Sequence, residues 1–244
     1  MSDSQSWFDQ AVYDIRCEWG QQGVTRLAPI SDAVIIVDVL SFSTSVCIAV
    51  ERGALVYPYA GPRKRLADFA AARNAVVADR RGTASKYSLA PHSLVSISPG
   101  TRLVLPSPNG STLSTQTGLT PTLVGCLRNA TAVAEAALRF GRRIAIVPAG
   151  ERWREDGSLR PSFEDLVGSG AIASHLPGTH SPEVQAAVAA YEQSRHDLQR
   201  LLRECGSGRE LLGRGSGHDV ELAAALDSSR CAPVLRAGAY QATV

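Results

Sequence analysis

Short apolar runs alternate with polar turns and amphipathic stretches along most of this chain. The run at 32–40, DAVIIVDVL, is rich in β-branched residues and apolar on both faces, which is typical of a buried parallel strand. Hydroxyl residues follow it, and Val46, Ala49 and Val50 then recur at helical spacing up to Gly53. A strand, a polar turn and a helix are therefore predicted in succession.

The same succession recurs further along the chain. The patterns predict strands at 54–60, 75–82, 101–105, 120–127 and 143–150, and helices at 63–74 and 129–141. Residues 82–100 are rich in Ser, Pro and Gly and have no assignable period. This alternation predicts an α/β fold, with a sheet of mixed, largely parallel strands and helices on both faces.

The C-terminal third is predicted to be mainly helical. Apolar positions from Pro182 to Cys205 fall mostly on one stripe, which predicts one long amphipathic helix. A short helix at 219–226 and a terminal extended segment follow. We expect a single domain over 1–244, and this domain is compatible with two subdomains that meet at the active site. The long helix is suited to covering the sheet or to contacting a partner, so the sequence is compatible with a homo-oligomer.

Composition and charge narrow the class of protein. Apolar residues make up 44% of the 244 residues, and 25 Lys and Arg nearly balance 23 Asp and Glu without basic blocks, which disfavours nucleic-acid binding. The chain has no apolar run long enough for a membrane span and no secretory pattern at its start. Five dispersed cysteines without a CxxC pair indicate reduced thiols, so we expect a cytoplasmic protein.

Candidate chemistry lies where strands end, because open α/β sheets bind ligands at the carboxyl ends of their strands. Four such ends carry Ser, Thr, Asn or Gly, which together would present N–H and O–H donors to an anion. Asp38 ends the first apolar strand, where a buried carboxylate needs a partner. It is either a cap for the next helix or a magnesium ligand or nucleophile.

Further carboxylates raise the same choice between capping and function. Glu164 and Asp165 precede a predicted helix, where negative charge is favourable in any case. The long polar connection from Pro148 to Asp165 favours a functional role, since such connections are often functional. Asp219 has the same two interpretations. His175 and His218 are candidate acids or bases, although a lone histidine is more often structural.

Asn109 and Gly110, in LPSPNGST, have two interpretations as well. An isolated Asn-Gly pair favours a hairpin turn, whereas its position after a strand and before hydroxyl residues favours contact with an oxyanion. Several known sites are excluded, because the chain has no GxxxxGK[ST], GxGxxG after the first strand, GxSxG or HExxH motif. A haloacid-dehalogenase-like first motif would need a second Asp at position 40, which is Leu40.

Taken in order, the spaced motifs resemble those of the magnesium-dependent 2-phosphosulfolactate phosphatases, the ComB-like proteins of coenzyme M biosynthesis. The resemblance runs from about Ser31 to Leu235, through VIIVDVLSFSTSV, LPSPNGS, GCLRNATAVA, IVPAGERW, SFEDLVGSGAI, GHDVELAAALD and APVL. It implies Mg²⁺-dependent hydrolysis of a phosphate monoester of a small acidic metabolite, 2-phosphosulfolactate, to sulfolactate and phosphate. A non-catalytic binding protein for such a molecule and a structural subunit remain alternatives.

The resemblance also implies site residues. Catalytic roles fall to Asp38, Glu164 and Asp165, and the same three with Asp219 are the candidate metal ligands. The candidate substrate-binding residues are Ser43, Thr44, Asn109, Gly110, Ser111 and Asn129. Both direct attack by a metal-activated water and a phospho-aspartate at Asp38 are compatible with this set.

One position departs from the family pattern. Many relatives carry an arginine where this chain has Ser41, and an arginine is suited to clamping a phosphate or sulfonate. We expect another arginine to supply the positive charge. The candidates are Arg128, Arg152, Arg154 and Arg160.

Overall fold

The protein is an α/β structure in which nine strands form one sheet. The computed structural model describes residues 7–79, 81 and 85–242. The strands are β1 Ile15–Cys17, β2 Ala33–Val37, β3 Leu55–Tyr59, β4 Val76–Val77, β5 Arg102–Pro106, β6 Thr122–Gly125, β7 Ile144–Pro148, β8 Glu151–Arg152, β9 Leu159–Arg160, β10 Pro233–Arg236 and β11 Ala239–Ala242. The α-helices are α1 Gly20–Leu27, α2 Phe42–Glu51, α3 Leu66–Ala71, α4 Gly110–Ser114, α5 Ala130–Ala137, α6 Phe163–Ala173, α7 Pro182–Ser194, α8 Leu198–Glu204, α9 Gly206–Gly213 and α10 Gly217–Ala224.

The large sheet consists of two parallel blocks joined by a hairpin. Its strand order is β1-β7-β2-β6-β10-β11-β3-β5-β4, and β8 pairs with β9 in a separate ribbon. The first block, from β1 to β6, and the second block, from β3 to β4, are each parallel. Three antiparallel pairings separate them, so the second block runs opposite to the first.

Strand β2 lies at the centre of the first block and is buried on both faces. Ile35 and Val37 pack into a cluster with helices α5, α6 and α7, whereas Val34 and Ile36 pack against α1 and α4. Successive side chains of a strand point to opposite faces, so an apolar run of this kind requires a helical layer on each side. Each fully buried side chain of this size contributes about 1.5–3 kcal/mol.

The second block has helices on both faces as well. Val56, Leu103 and Leu105 pack with α2, and Tyr57 and Val104 pack on the other face with α3. The predicted mixed, largely parallel sheet with helices on both faces is therefore confirmed, and each strand or helix predicted between 32 and 150 has a counterpart within its range.

Two predictions differ from the structure. The predicted long helix at 182–205 is wrong, because α7 ends at Ser194 and α8 begins at Leu198. The apolar stripe is interrupted there by Ser194 and Arg195, and the Ser194 hydroxyl donates to the Ala190 carbonyl 2.7 Å away. The polar connection after Pro148 contains the β8–β9 ribbon, which its composition did not indicate.

Other segments had no predicted structure. Strand β1 and helix α1 precede the first predicted strand, and Pro91–Leu94 forms a single turn of 3-10 helix. Residues 82–84 lie outside the described part of the chain. Within the described part, no helix is long and apolar enough to cross a membrane. The five cysteines, all of them described, are free thiols.

Helices α6 and α7 approach so closely at Gly170 that a side chain there would collide with the neighbouring backbone. A Cβ atom on Gly170 would lie 2.0 Å from the Ala187 carbonyl oxygen. We expect Gly170→Ala to lower the free energy of unfolding by about 1–3 kcal/mol, as overpacking of a core does. Urea unfolding measures this change. Gly213→Ala is the matched control, because a Cβ there meets nothing within 4 Å; equal stability of both variants would contradict the prediction.

Candidate active site

Asp38 follows β2 directly and is the centre of the candidate site. Its carboxylate is buried, with the residue 5% exposed. Oδ2 accepts from the Gly110 backbone N–H at 2.8 Å, and Oδ1 accepts from the Phe42 N–H at 3.2 Å. Burial raises the pKa of Asp38, the two N–H donors oppose this shift, and the charge of Glu164 adds to it. Asp38 therefore accepts a hydrogen bond from the first turn of α2, as a capping role requires. It also accepts one from Gly110, in a loop that is distant in sequence.

That donor comes from the other block of the sheet. In the strand order, β2 and β5 are five spacings apart, which is roughly 24 Å in a flat sheet. The two strands also run in opposite directions, so a flat sheet would place their carboxyl ends at opposite edges. The hydrogen bond from Gly110 to Asp38 nevertheless brings the loop after β5 to the end of β2. The candidate site lies at this meeting point.

Asn109 and Gly110 begin helix α4, so the hairpin interpretation of this pair is wrong. Gly110 is required by space, because a Cβ would lie 2.2 Å from Phe42 Cδ1 and 2.8 Å from Asp38 Oδ2. The Asn109 side chain donates to Glu151 Oε2 at 3.0 Å. The loop after β5 thus contacts two acidic side chains from the first block.

Asp165 joins three elements at the same end of the sheet. From the first turn of α6, its Oδ1 accepts from the Val39 N–H at 2.7 Å and its Oδ2 from the Gly150 N–H at 2.9 Å. These residues follow β2 and β7, so Asp165 fixes both strand ends to the helix. Burial and the charges of Glu164 and Asp38 hold the pKa of Asp165 well above its usual range.

Glu164 is 2% exposed, yet in the described part of the chain its carboxylate accepts a hydrogen bond only from a thiol. Cys205 Sγ donates to Glu164 Oε2 at 3.4 Å. Burial, followed by the charge of Glu164, raises the pKa of Cys205 to about 12, so the thiol stays protonated and remains a donor. A thiol is a weak donor. Glu164 is consequently the buried carboxylate with the most remaining capacity to bind a ligand.

Glu151 belongs to the site, although the sequence did not single it out. Burial, followed by the charge of Asp38, raises the pKa of Glu151 from 4.5 to about 7; Asn109 opposes this shift and Glu164 adds to it. One sequence feature could have identified Glu151: it is the first carboxylate after β7, at the carboxyl end of a central strand. A group with this pKa exchanges protons readily near neutral pH.

The predicted acidic cluster is thus partly assembled. Asp38, Glu164 and Asp165 lie close enough that their charges shift one another's pKa or that of a neighbour, and Glu151 is within the same field. Within the described residues, no three Asp, Glu, His or Cys side chains come together as a ready metal site. Mg²⁺ needs only one or two carboxylates when waters and phosphate oxygens complete its shell. The buried and weakly compensated negative charge fits such a cation.

Asp219 has a different environment. It is fully buried, and its Oδ2 accepts from Arg81 Nη1 at 2.6 Å while its Oδ1 contacts His92 Nδ1 at 2.8 Å. Arg81 also donates to the Ser41 hydroxyl and, at 3.4 Å, to the Leu89 carbonyl. Asp219 therefore lies beside the acidic cluster as the counter-ion of an arginine.

Arg81 contacts Ser41, the residue that departs from the family pattern. Of the four arginines proposed from the sequence, Arg128 binds the Leu222 carbonyl and Arg154 binds Glu210. Arg152 and Arg160 bind the Gly157 carbonyl and Ser207 and lie near Glu151. Arg81, which is 40 residues from Ser41, is the arginine that contacts Ser41. Its neighbours in sequence show no pattern that would have identified it.

Four of the predicted substrate-binding side chains hold turns in place. Hydroxyl groups of Ser43, Thr44 and Ser111 donate to the carbonyls of Ile36, Val39 and Leu105. Asn129 donates to the Val124 and Cys231 carbonyls and accepts from the Cys126 N–H. Their assignment to substrate binding stays a prediction. The internal bonds show that they shape the loops around the site.

Both candidate histidines lie outside the cluster. His175 follows the C-terminal end of α6 and contacts Thr131 at 3.2 Å, whereas Glu164 is in the first turn, about 16 Å away along an eleven-residue helix. His218 is exposed and contacts Glu221. Among the described residues, His92 is the histidine that connects to the site, through Asp219.

We expect Gly110→Ala to disrupt the site more than the fold. The new methyl group must displace the Phe42 ring or Asp38 Oδ2, and either shift breaks the hydrogen bond that aligns Asp38. Unfolding should become easier by about 1–3 kcal/mol, and ligand-dependent stabilisation should be lost. Thermal scans with and without ligand measure both effects. Gly118→Ala, in a turn without nearby atoms but with a positive φ, controls for backbone strain alone.

Glu151 should make stability depend on pH. Between pH 4.5 and about 7 the folded, metal-free protein binds more protons than the unfolded chain, so its stability falls as pH rises through this window. Glu151→Gln removes this contribution and should stabilise the protein by about 1–3 kcal/mol at about pH 8, with little effect at about pH 4. Denaturant unfolding across this pH range checks the slope. Glu155→Gln, at an exposed position, should show the same pH dependence as the wild type. If Glu151→Gln also shows the wild-type slope, the assignment is refuted.

Comparison with known proteins identifies the family of the chain. A model of the 2-phosphosulpholactate phosphatase family matches residues 22–238. A probable 2-phosphosulfolactate phosphatase of Parasynechococcus marenigrum is 31% identical over 223 residues, covering 83% of this chain and 88% of the relative. The 2-phosphosulfolactate phosphatase of Methanothermobacter thermautotrophicus is 29% identical over 210 residues, covering 85% and 88%. A probable one from Deinococcus radiodurans is 30% identical over 220 residues, covering 85% and 89%. Because the family model spans nearly all of the sequence and includes every acidic residue of the site, this chain belongs to the 2-phosphosulfolactate phosphatase family.

Proposed function

We propose that this protein is a Mg²⁺-dependent phosphatase that converts 2-phosphosulfolactate to sulfolactate and phosphate. The observation that carries the proposal is the convergence of Asp38, Glu164 and Glu151 where the two blocks of the sheet meet. The names of its relatives support the substrate. The buried carboxylates support the need for a cation, because without one they would repel a phosphate dianion.

Asp38 and Glu164 are the residues that would hold Mg²⁺. Each is almost completely buried and keeps oxygen lone pairs beyond the hydrogen bonds that it accepts. Bound Mg²⁺ would neutralise phosphoryl oxygens and lower the pKa of an attacking water. Asp165 has a supporting role, because both its oxygens are bound to the backbone N–H groups that fix the ends of β2 and β7.

Glu151 is the proposed general base. Its pKa of about 7 leaves a large ionised fraction near neutral pH, together with enough basicity to take a proton. The Asn109 amide donates to Oε2 and so sets the direction of the carboxylate. Oε1 would then receive the proton from water as that water attacks phosphorus. The bond from phosphorus to the ester oxygen breaks, and the leaving alkoxide takes up a proton from solvent to give the hydroxyl of sulfolactate. The Gly110 N–H keeps Asp38 oriented while this occurs.

Phosphate release from 2-phosphosulfolactate tests the function directly. We expect turnover by the wild type with Mg²⁺ and none with EDTA. Asp38→Asn and Glu164→Gln should each lower kcat by about 100-fold or more, because they remove charge that the transition state requires. Glu151→Gln should lower kcat by about 10²-fold and abolish the acidic limb of the pH profile, while Glu155→Gln should resemble the wild type.

Thermal unfolding of each variant separates lost chemistry from lost structure. Metal-independent turnover, or full activity of the Asp38 and Glu164 variants, would refute the mechanism. Metal-dependent binding of the substrate without turnover would instead support a binding protein. A phosphorylated Asp38 trapped by acid quench would assign nucleophilic attack to Asp38 and leave Glu151 to activate water in the second step.

A further inference from the structure

A cavity lies on the side of the second block, next to the loop that contacts Asp38. It has a volume of about 850 Å³ and opens at the carboxyl ends of β3, β4 and β5. Its lining includes three arginines, Arg63, Arg81 and Arg214. The acidic group in the lining, Asp79, accepts from the Ser85 hydroxyl at 2.9 Å. The cavity therefore has arginine side chains on its wall, of which Arg81 is paired with Asp219 and Arg214 with Glu210.

Arg81 lies at the boundary between the cavity and the cluster. It donates to Ser41, which begins α2 three residues after Asp38, and its charge opposes the upward shift of the Asp38 pKa. The loop 107–108 also lines the cavity, directly before the Asn109–Gly110 pair that contacts Glu151 and Asp38. Arg81 and the loop 107–108 thus connect this cavity to the residues around Asp38.

The guanidinium of Arg81 is held in place. Asp219, fully buried, binds one Nη atom, and Ser41 and Leu89 bind the other. The side chain keeps 19% of its surface exposed at the cavity wall. A preorganised arginine loses little freedom on binding an anion, and the N–H groups that Asp219, Ser41 and Leu89 leave unused can donate to an oxygen of a sulfonate or carboxylate.

We propose that this cavity binds the second, non-reacting acidic group of the substrate, and that Arg81 is the residue that selects for it. The inference rests on the proposed function, since it assumes that the reacting phosphate lies at Asp38. The ligand class is a small phosphate monoester that carries a sulfonate or carboxylate a few bonds from the phosphate. Arg63 and Arg214 contribute positive potential at the mouth of the cavity.

Kinetics with two substrates test this selection. In Arg81→Ala, the KM for 2-phosphosulfolactate should rise about 10- to 100-fold, the effect of losing one charge-assisted contact. The KM for glycerol 1-phosphate, which lacks the second acidic group, should change less than about threefold. Arg195→Ala, an exposed arginine paired with Glu192, is the matched control. An equal effect of Arg81→Ala on both substrates would overturn the proposal.

A double variant separates binding from a purely structural role. Arg81→Ala leaves Asp219 as an unpaired buried charge, which is destabilising by itself. Adding Asp219→Asn removes that charge. If Arg81 binds the substrate, the double variant regains thermal stability but keeps the raised KM. Recovery of the wild-type KM would show that Arg81 only neutralises Asp219, and the proposal would fail.

Binding of sulfolactate distinguishes this proposal from the proposed function, because it needs no turnover. Isothermal titration should show binding to the wild type and at least about tenfold weaker binding to Arg81→Ala. That result in a protein that hydrolyses neither substrate would retain the subsite and refute the phosphatase. Hydrolysis of 2-phosphosulfolactate combined with equal sulfolactate binding by both proteins would refute the subsite and retain the phosphatase.

Discussion

The hydrogen bond from the Gly110 N–H to Asp38 is the contact on which the site depends. It joins the carboxyl ends of two blocks of parallel strands that run in opposite directions. The absence of a side chain at position 110 is needed for this approach. The result is that acidic residues that follow β2 and β7 lie beside the loop that lines the cavity of the second block.

Charge is distributed unevenly across this site. Asp38, Asp165 and Glu151 all have raised pKa values, mainly because burial disfavours their ionised forms. The folded protein is thus less stable than it would be with neutral residues there, as is common at functional sites. A bound cation would offset this cost. Arg81, paired with buried Asp219, provides the opposite charge at the boundary with the cavity of the second block.

Local patterns predicted much of the fold and the centre of the site. The β-branched run ending in Asp38, the strand before Asn109 and the helix beginning near Glu164 are all present. The helix at 182–205 was predicted as continuous, because an apolar stripe does not register the single break at Ser194 and Arg195. Glu151 was passed over because its raised pKa arises from burial and from the charges of Asp38 and Glu164, which are distant in sequence.

The sequence by itself determined the class of fold and the carboxylates at strand ends, since these follow from periodicity and from residues close together in the chain, and its spaced motifs resemble those of the family. Only the tertiary structure decided which of those carboxylates lie close enough to interact. It placed Asp219 with Arg81, Glu151 with Asn109, and a cavity with arginines on its wall next to the loop that contacts Asp38. The physical reason is that electrostatic coupling depends on distance and burial, and both are set by how the two blocks of the sheet pack together.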